Sequence, residues 1–312
     1  MDNNQNYQSL TRTFTRLSRF QHLSAIAGWD MFAMMPPGGS TARGEALAEL
    51  GVLQHQILTD KKVGEWLQNA LSEDLNDVEQ ANLREMTRQY QQAALLPESL
   101  VEAKALAGSK CEHAWRSQRP ANDWTGFSAN LKEVVKLSRE EAKIRARAKG
   151  CSPYDALLDI FEPDMTSARL DVLFADLKSW LPDLLQRVVD KQSRETLIAP
   201  VGPFPVATQR ELGLEAMTLL GFDFNAGRLD VSAHPFCGGV PEDVRITTRY
   251  DENELLSALF GVVHETGHAR YEQNLPRQWL GQPVALARST AIHESQSLFF
   301  EMQLGRSEAF LK

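Results

Sequence analysis

Two histidines spaced four residues apart are the side chains in this 312-residue sequence best suited to share a metal ion. They begin and end the run His264-Glu265-Thr266-Gly267-His268. In a helix, positions i and i+4 lie on one face, so both imidazoles can reach the same ion. Glu265 lies about 100° around such a helix, where it can contact a water on that ion without being a ligand. The apolar residues before the motif indicate a buried helix, in which these polar groups are costly unless they bind a metal or one another.

A third ligand has to come from the chain after this motif. A catalytic zinc usually takes three protein ligands and leaves a fourth position for water. The downstream candidates are Glu272, His293, Glu294 and Glu301. Glu294 follows His268 by 26 positions, which is enough chain to turn and bring back a second helix. His293 is interpreted either as a group that orients a ligand or contacts substrate, or as a purely structural side chain.

The elements that must position these residues are predicted to be mostly helices. Apolar residues recur at helical spacing over 7–28, and the prolines at 36 and 37 stop that helix. Asp251 and Glu254 have the spacing of a capping box before the metal-binding helix. A last helix is predicted over 290–304, with Gly305 at its end.

Short segments with β-branched or alternating residues predict one small sheet. They cover residues 204–206, 228–232 and 244–250. We therefore predict a mainly α fold with a small β-sheet beside the metal helix. Residues 1–225 are expected to form a helical lid and body, and residues 226–312 the sheet and the metal-binding helices. These two parts are not expected to be independent domains.

The composition excludes several classes of protein. The chain has 33 basic and 41 acidic residues, a net charge of −8, and so lacks the basic face that nucleic acid requires. No run approaches the roughly 18 apolar residues of a membrane span, and the polar N-terminus does not resemble a secretory signal. The 3 cysteines are too few and scattered for a disulfide framework. We expect a soluble cytoplasmic protein without nucleic-acid or membrane partners.

Several motifs, taken together, resemble those of the M32 metallocarboxypeptidases. The zinc motif and His293-Glu294-Ser295-Gln296-Ser297 have the spacing seen in that family. Further similar elements lie upstream in the expected order: Trp29-Asp30, Met35-Pro36-Pro37-Gly38, Pro153–Asp159, His234-Pro235-Phe236 and Asp243-Val244-Arg245-Ile246-Thr247. The resemblance extends over nearly the whole chain.

The resemblance implies a helical, cleft-containing zinc-peptidase fold like that of the neurolysin and angiotensin-converting enzymes. Carried over by position, the metal ligands are His264, His268 and Glu294, and the general base is Glu265. It also implies one divalent metal ion, zinc in the first place with cobalt or manganese as alternatives. The implied activity is removal of single C-terminal amino acids from peptide substrates, usually by a homodimer.

Other residues and other readings remain open at the level of sequence. His234, Arg245 and His293 are candidate substrate contacts, although structural roles explain them as well. The resemblance covers about the N-terminal three fifths of the family's chain, and the family's later motifs, which are expected to bind the substrate carboxylate, do not occur in this sequence. The alternatives to a carboxypeptidase are therefore a catalytically incompetent metal-binding fragment and a metallo-oligopeptidase.

Overall fold

The computed structural model describes residues 4–196 and 200–312, and most of these residues are helical. The predicted mainly α fold class is therefore confirmed. The helices are α1 Gln5–Ala33, α2 Ser40–Leu58, α3 Lys61–Ala70, α4 Asp77–Ala94, α5 Glu98–Gln118, α6 Trp124–Lys149, α7 Pro153–Phe161, α8 Ser167–Gln192, α9 Val206–Leu219, α10 Leu255–Gln273, α11 Thr290–Leu298 and α12 Glu308–Leu311.

The N-terminal helices pack around one face of α1. The helix predicted over 7–28 lies inside α1, which ends before Pro36 because proline has no N–H to continue the hydrogen-bond ladder. The apolar face of α1 packs against α3 and α4 in a core. Burial of one leucine side chain there contributes about 1.5–3 kcal/mol to the free energy of unfolding. The core side chains from these three helices are Tyr7, Leu10, Phe14, Leu17, Val63, Leu67, Ala70, Leu83 and Met86.

A three-stranded sheet lies beside α10. The strands are β1 Gly227–Val231, β2 Cys237–Val240 and β3 Asp243–Thr248, in the order β1-β3-β2. β1 runs parallel to β3, with Leu229 opposite Ile246, and β2 runs antiparallel to it. Val244 and Ile246 of β3 are fully buried in a cluster with Val262 and Ala269 of α10. The sheet predicted beside the metal helix is thus present, and it forms the support on which that helix rests.

Four details differ from the sequence-based expectation. The last helix, predicted over 290–304, is α-helical only over Thr290–Leu298 and continues as a π-helical turn over Phe299–Leu304. Residues 204–206 form no strand, because Val206 begins α9 and the side chain of Gln209 donates to the Phe204 carbonyl. Strand β2 was not expected, since Gly238 and Gly239 give it a composition that is rare in strands. The N-cap of α10 is Glu254, whose carboxylate accepts the backbone N–H groups of the first turn. Asp251 instead closes the preceding turn.

A buried polar cluster joins the segment before α11 to the N-terminal helices. Asn82 of α4 is fully buried, donates to the Tyr7 hydroxyl and to Gln282, and accepts the backbone N–H of Val284. Gln282 in turn donates to the Thr11 carbonyl on α1. These bonds hold the two sequence regions in one body. The division at residue 225 remains a prediction.

Helix α8 is unusual because none of its residues is buried against the rest of the described chain. Apolar side chains at helical spacing run along its exposed surface, and we call them the α8 stripe: Leu173, Leu177, Trp180, Leu181, Leu184 and Val188. Within the described ranges, no helix combines the length and the apolar character needed to cross a membrane.

Candidate metal centre

Helix α10 presents the two motif histidines on one face. His264 and His268 lie one turn apart, with ring centroids separated by 5.0 Å. Their side chains are 22% and 15% exposed, so each imidazole is partly shielded from water but still reachable. Burial is the largest cause that lowers the pKa of His268 to about 4, and the neighbouring His293 and His264 lower it further. His268 is therefore neutral at pH 7, which is the form that can bind a metal.

Helix α11 brings Glu294 to the same point. One carboxylate oxygen lies 3.6 Å from Nε2 of His264, and the other lies 3.3 Å from Nε2 of His268. Ligand atoms of these three residues all lie within 4.8 Å of one another. In a tetrahedral site with bonds of about 2.0–2.1 Å, ligand atoms are about 3.4 Å apart. Two imidazole nitrogens and a carboxylate at these separations suit one divalent cation.

Gly267, inside the motif, permits the close approach of α11 to α10. A β-carbon at this position would lie 2.6 Å from Cα of Ser297 and 2.8 Å from the carbonyl oxygen of Gln296. Ser297 is fully buried, and its hydroxyl donates to the Glu294 carbonyl. The contact therefore places the backbone turn that carries Glu294. A side chain at position 267 would prevent α11 from packing this closely against α10.

The other three candidate ligands lie behind the imidazole rings. Glu301 contacts Nδ1 of His264 at 3.0 Å, and Arg306 donates to its second oxygen. Burial raises the pKa of Glu301, but hydrogen bonds from Arg306 and His264 outweigh this and hold that pKa below its ordinary value. A carboxylate at this position fixes the ring of His264 with Nε2 toward Glu294.

His268 has a longer chain of partners on its Nδ1 side. Nδ1 of His293 lies 2.5 Å from Nδ1 of His268, and Nε2 of His293 lies 2.8 Å from a carboxylate oxygen of Glu272. The sequence identified both residues as candidates but could not separate ligands from supporting groups. Spacing along the sequence carried no signal for this distinction. Glu301 lies in the π-helical turn Phe299–Leu304 that continues α11, where α-helical periodicity does not apply.

Glu265 lies on the buried side of α10. Its residue surface is 7% exposed, and desolvation, followed by repulsion from Glu294, raises its pKa to about 7. It follows His264 directly, so it belongs to the same turn as the candidate ligands without sharing their face.

The remaining predicted site residues are held in other contacts. The guanidinium of Arg245 pairs with both oxygens of Asp243, at 2.9 and 2.7 Å, and lies 4.6 Å from the ring centroid of Trp29. The hydrogen bonds that Arg245 donates to the Asp243 carboxylate raise the pKa of its guanidinium. His234 is exposed, and its carbonyl accepts the Ser232 hydroxyl. The structure thus brings His293 to the candidate ligands, whereas it gives Arg245 its own partners on the sheet.

Comparisons with known proteins agree with this site. The family model of the carboxypeptidase Taq (M32) metallopeptidases matches residues 9–312. Thermostable carboxypeptidase 1 of Thermus thermophilus is 40% identical over 317 residues, which cover 97% of this chain and 62% of that protein. Carboxypeptidase 1 of Bacillus subtilis is 34% identical over 299 residues, which cover 95% of this chain and 59% of that protein.

A solved structure with the same fold is that of Trypanosoma cruzi metallocarboxypeptidase 1. It is similar with a TM-score of 0.89 and 49% sequence identity, covering 99% of this chain and 62% of that one. A second structure, described as that of BsuCP, has a TM-score of 0.91 at 32% identity and covers 97% and 61%. The chain therefore spans about three fifths of the length of the relatives it matches.

Proposed function

This chain belongs to the carboxypeptidase Taq (M32) metallopeptidase family, and we propose that it acts as a metal-dependent carboxypeptidase that releases single C-terminal amino acids from peptides. The observation that carries the proposal is the convergence of His264, His268 and Glu294 on one point. The resemblance predicted from the motifs is confirmed by the family model and the relatives. The activity of the whole protein is a proposal, because the chain spans 62% of the Thermus thermophilus relative and 59% of the Bacillus subtilis relative.

In this proposal His264, His268 and Glu294 hold one divalent cation. Zinc is proposed because two imidazoles and a carboxylate are a usual ligand set of catalytic zinc, and cobalt and manganese accept similar ligands. Such a cation would act as a Lewis acid that polarises the scissile carbonyl and lowers the pKa of the attacking water.

Glu265 is proposed as the general base. Its carboxylate accepts a proton from the attacking water and later passes the proton to the amine of the departing amino acid. The support for this role is its position next to His264 and its burial, which leaves 7% of its surface exposed to water. A carboxylate that already bound the cation would be a poorer proton acceptor, and Glu294 occupies the ligand position instead.

The remaining assignments stay predictions. His234, Arg245 and His293 are proposed substrate contacts. For Arg245 the bidentate pair with Asp243 favours a structural role, and for His293 the contacts of its two ring nitrogens with His268 and Glu272 favour a supporting one. A peptide is the proposed substrate, a homodimer the proposed assembly, and the cytoplasm the proposed location. A catalytically incompetent metal-binding fragment is the alternative that the partial coverage of the relatives supports, and a metallo-oligopeptidase is the other.

The proposal is tested with the purified chain, zinc and the Glu265→Gln variant. We expect the unsubstituted protein to bind one zinc per chain and to release single residues from N-terminally blocked peptides. The variant should keep zinc and lose hydrolysis, because glutamine cannot take the proton. Turnover that survives in the variant would exclude Glu265 as the base.

Peptides with free and amidated C-termini separate the alternatives. A carboxypeptidase cleaves the free form, whereas equal cleavage of both forms identifies an oligopeptidase. Zinc binding without cleavage of either peptide identifies the metal-binding fragment, and absence of zinc binding refutes the metal site itself.

A further inference from the structure

We infer that Glu272 is a positioning residue for the metal site: acting through His293, it determines which ring nitrogen of His268 carries the proton. The inference rests on the proposed function, because it takes His268 as a metal ligand. In this arrangement Glu272 leaves Nε2 of His268 with a free electron pair that faces Glu294.

Three side chains from two helices form a continuous hydrogen-bonded row. Glu272 follows His268 by one turn of α10, so both lie on the same face. His293 of α11 enters between them, 2.5 Å from Nδ1 of His268 and 2.8 Å from the Glu272 carboxylate. The ring of Tyr271 packs against His293, with centroids 4.8 Å apart, and limits its rotation. The side chains of His268, His293 and Glu272 are 15%, 21% and 24% exposed, so water competes only partly for their hydrogen bonds.

The donors and acceptors in this row can be arranged in one consistent way for metal binding. A carboxylate is an acceptor only, so Nε2 of His293 must donate its proton to Glu272. A neutral His293 then has an electron pair on Nδ1, which accepts the Nδ1–H of His268. A neutral His268 that is protonated on Nδ1 has its electron pair on Nε2. That nitrogen is the one 3.3 Å from Glu294.

Without Glu272, the positions of the protons on His293 and His268 would no longer be fixed. His293 could then carry its proton on Nδ1, and this N–H would require an electron pair on Nδ1 of His268. The proton of His268 would move to Nε2, where it blocks the cation. His264 needs no such row, because Glu301 contacts its Nδ1 directly at 3.0 Å. Each imidazole is thus backed by a carboxylate, one directly and one through another imidazole.

The first test measures zinc affinity in competition with a chelator for the unsubstituted protein and three variants. Glu272→Ala should bind zinc about 10–100-fold more weakly, the usual effect of removing a group that orients a ligand. Glu272→Asp keeps the acceptor and should recover most of the affinity. Glu215→Ala removes the same charge from an exposed position on α9 and should bind zinc like the unsubstituted protein.

The second test observes the histidine tautomers in the metal-free protein by 15N NMR, with His293→Asn used for assignment. We expect a proton on Nε2 of His293 and on Nδ1 of His268, and a mixture of tautomers in Glu272→Ala. A structural role of Glu272 would lower the thermal midpoint without changing these signals. The tautomer measurement in the unsubstituted protein does not depend on whether Glu272→Ala folds.

The outcomes distinguish this inference from the proposed function. If the unsubstituted protein binds zinc but Glu272→Ala binds it equally well, the positioning role is refuted and the metal site stands. The opposite tautomer of His293 in the unsubstituted protein refutes the role as well. If the unsubstituted protein binds no zinc, both proposals fall.

Discussion

The contact at Gly267 offers a sharp test of how the metal centre is assembled. Replacing Gly267 by alanine adds one β-carbon at 2.6 Å from Cα of Ser297, whereas ordinary contact begins at 3.4 Å. The obstructing atoms belong to the backbone of α11 and cannot rotate away. The helix must therefore retreat by about 0.8 Å, and Glu294, three residues before Ser297, must retreat with it.

The expected effects can be separated into stability and metal affinity. Overpacking of this kind costs about 1–3 kcal/mol, and the higher helix propensity of alanine offsets about 1 kcal/mol of it. Ligand distances in a metal site are held to about ±0.2 Å, so a retreat of this size moves Glu294 out of range. We expect zinc affinity to fall by at least about tenfold.

Gly261→Ala is a matched control on the same helix. A β-carbon there would meet its nearest atom, Oγ1 of Thr248, at 3.8 Å, which is ordinary contact. It should stabilise the protein by up to about 1 kcal/mol in urea unfolding and leave zinc affinity unchanged. If Gly267→Ala matches this control in both urea unfolding and chelator competition, the reasoning about close helix approach is wrong.

Three further predictions concern stability away from the metal. Asn82→Leu should lower the free energy of unfolding by about 1–3 kcal/mol, because its buried partners lose their bonds; a wild-type urea midpoint would contradict this. Burial raises the pKa of Glu141, but Lys104 and Arg145 outweigh it and hold that pKa below its ordinary value. This carboxylate therefore stabilises the fold above its unfolded pKa, and its contribution is lost as the pH falls through the folded pKa. In Glu141→Gln the thermal midpoint should therefore fall less steeply as the pH is lowered. An unchanged pH dependence would exclude the contacts of Glu141 with Lys104 and Arg145 as its cause. Leu181→Gln on the α8 stripe should change stability by no more than about 0.5 kcal/mol while reducing the binding of an apolar dye, and a large loss of stability would show that this side chain is buried in solution.

The local part of the site could be predicted from sequence because it depends on helical geometry alone. The spacing of His264 and His268 places both imidazoles on one face of any helix that contains them. The sheet beside this helix was also predictable in part, since β3 is rich in β-branched residues. Strand β2 was not, because glycine has a low strand propensity. Gly239 is required there because its φ is positive and a β-carbon would clash with the Asp243 carbonyl.

The supporting groups could not be assigned by spacing. Glu272, His293, Glu294 and Glu301 are all plausible ligands in a list of residues, and their roles differ only by which nitrogen of which imidazole they face. That choice depends on the distance and rotation between α10 and α11. The loop between them, residues 274–289, is in turn anchored on distant helices through Gln282 and Arg288.

Residue types at short spacings were thus enough to identify the metal-binding motif, the mainly helical fold class and the family. The packing of α11 against α10 was needed to show that Glu294 faces both Nε2 atoms while Glu301 and His293 lie behind the rings. The tertiary structure also explains Gly267, because the absence of a side chain matters only where another backbone comes close, here that of α11. The physical reason is the same in each case: a side chain's chemistry is set by its type, but its role is set by what lies within a few ångströms of it.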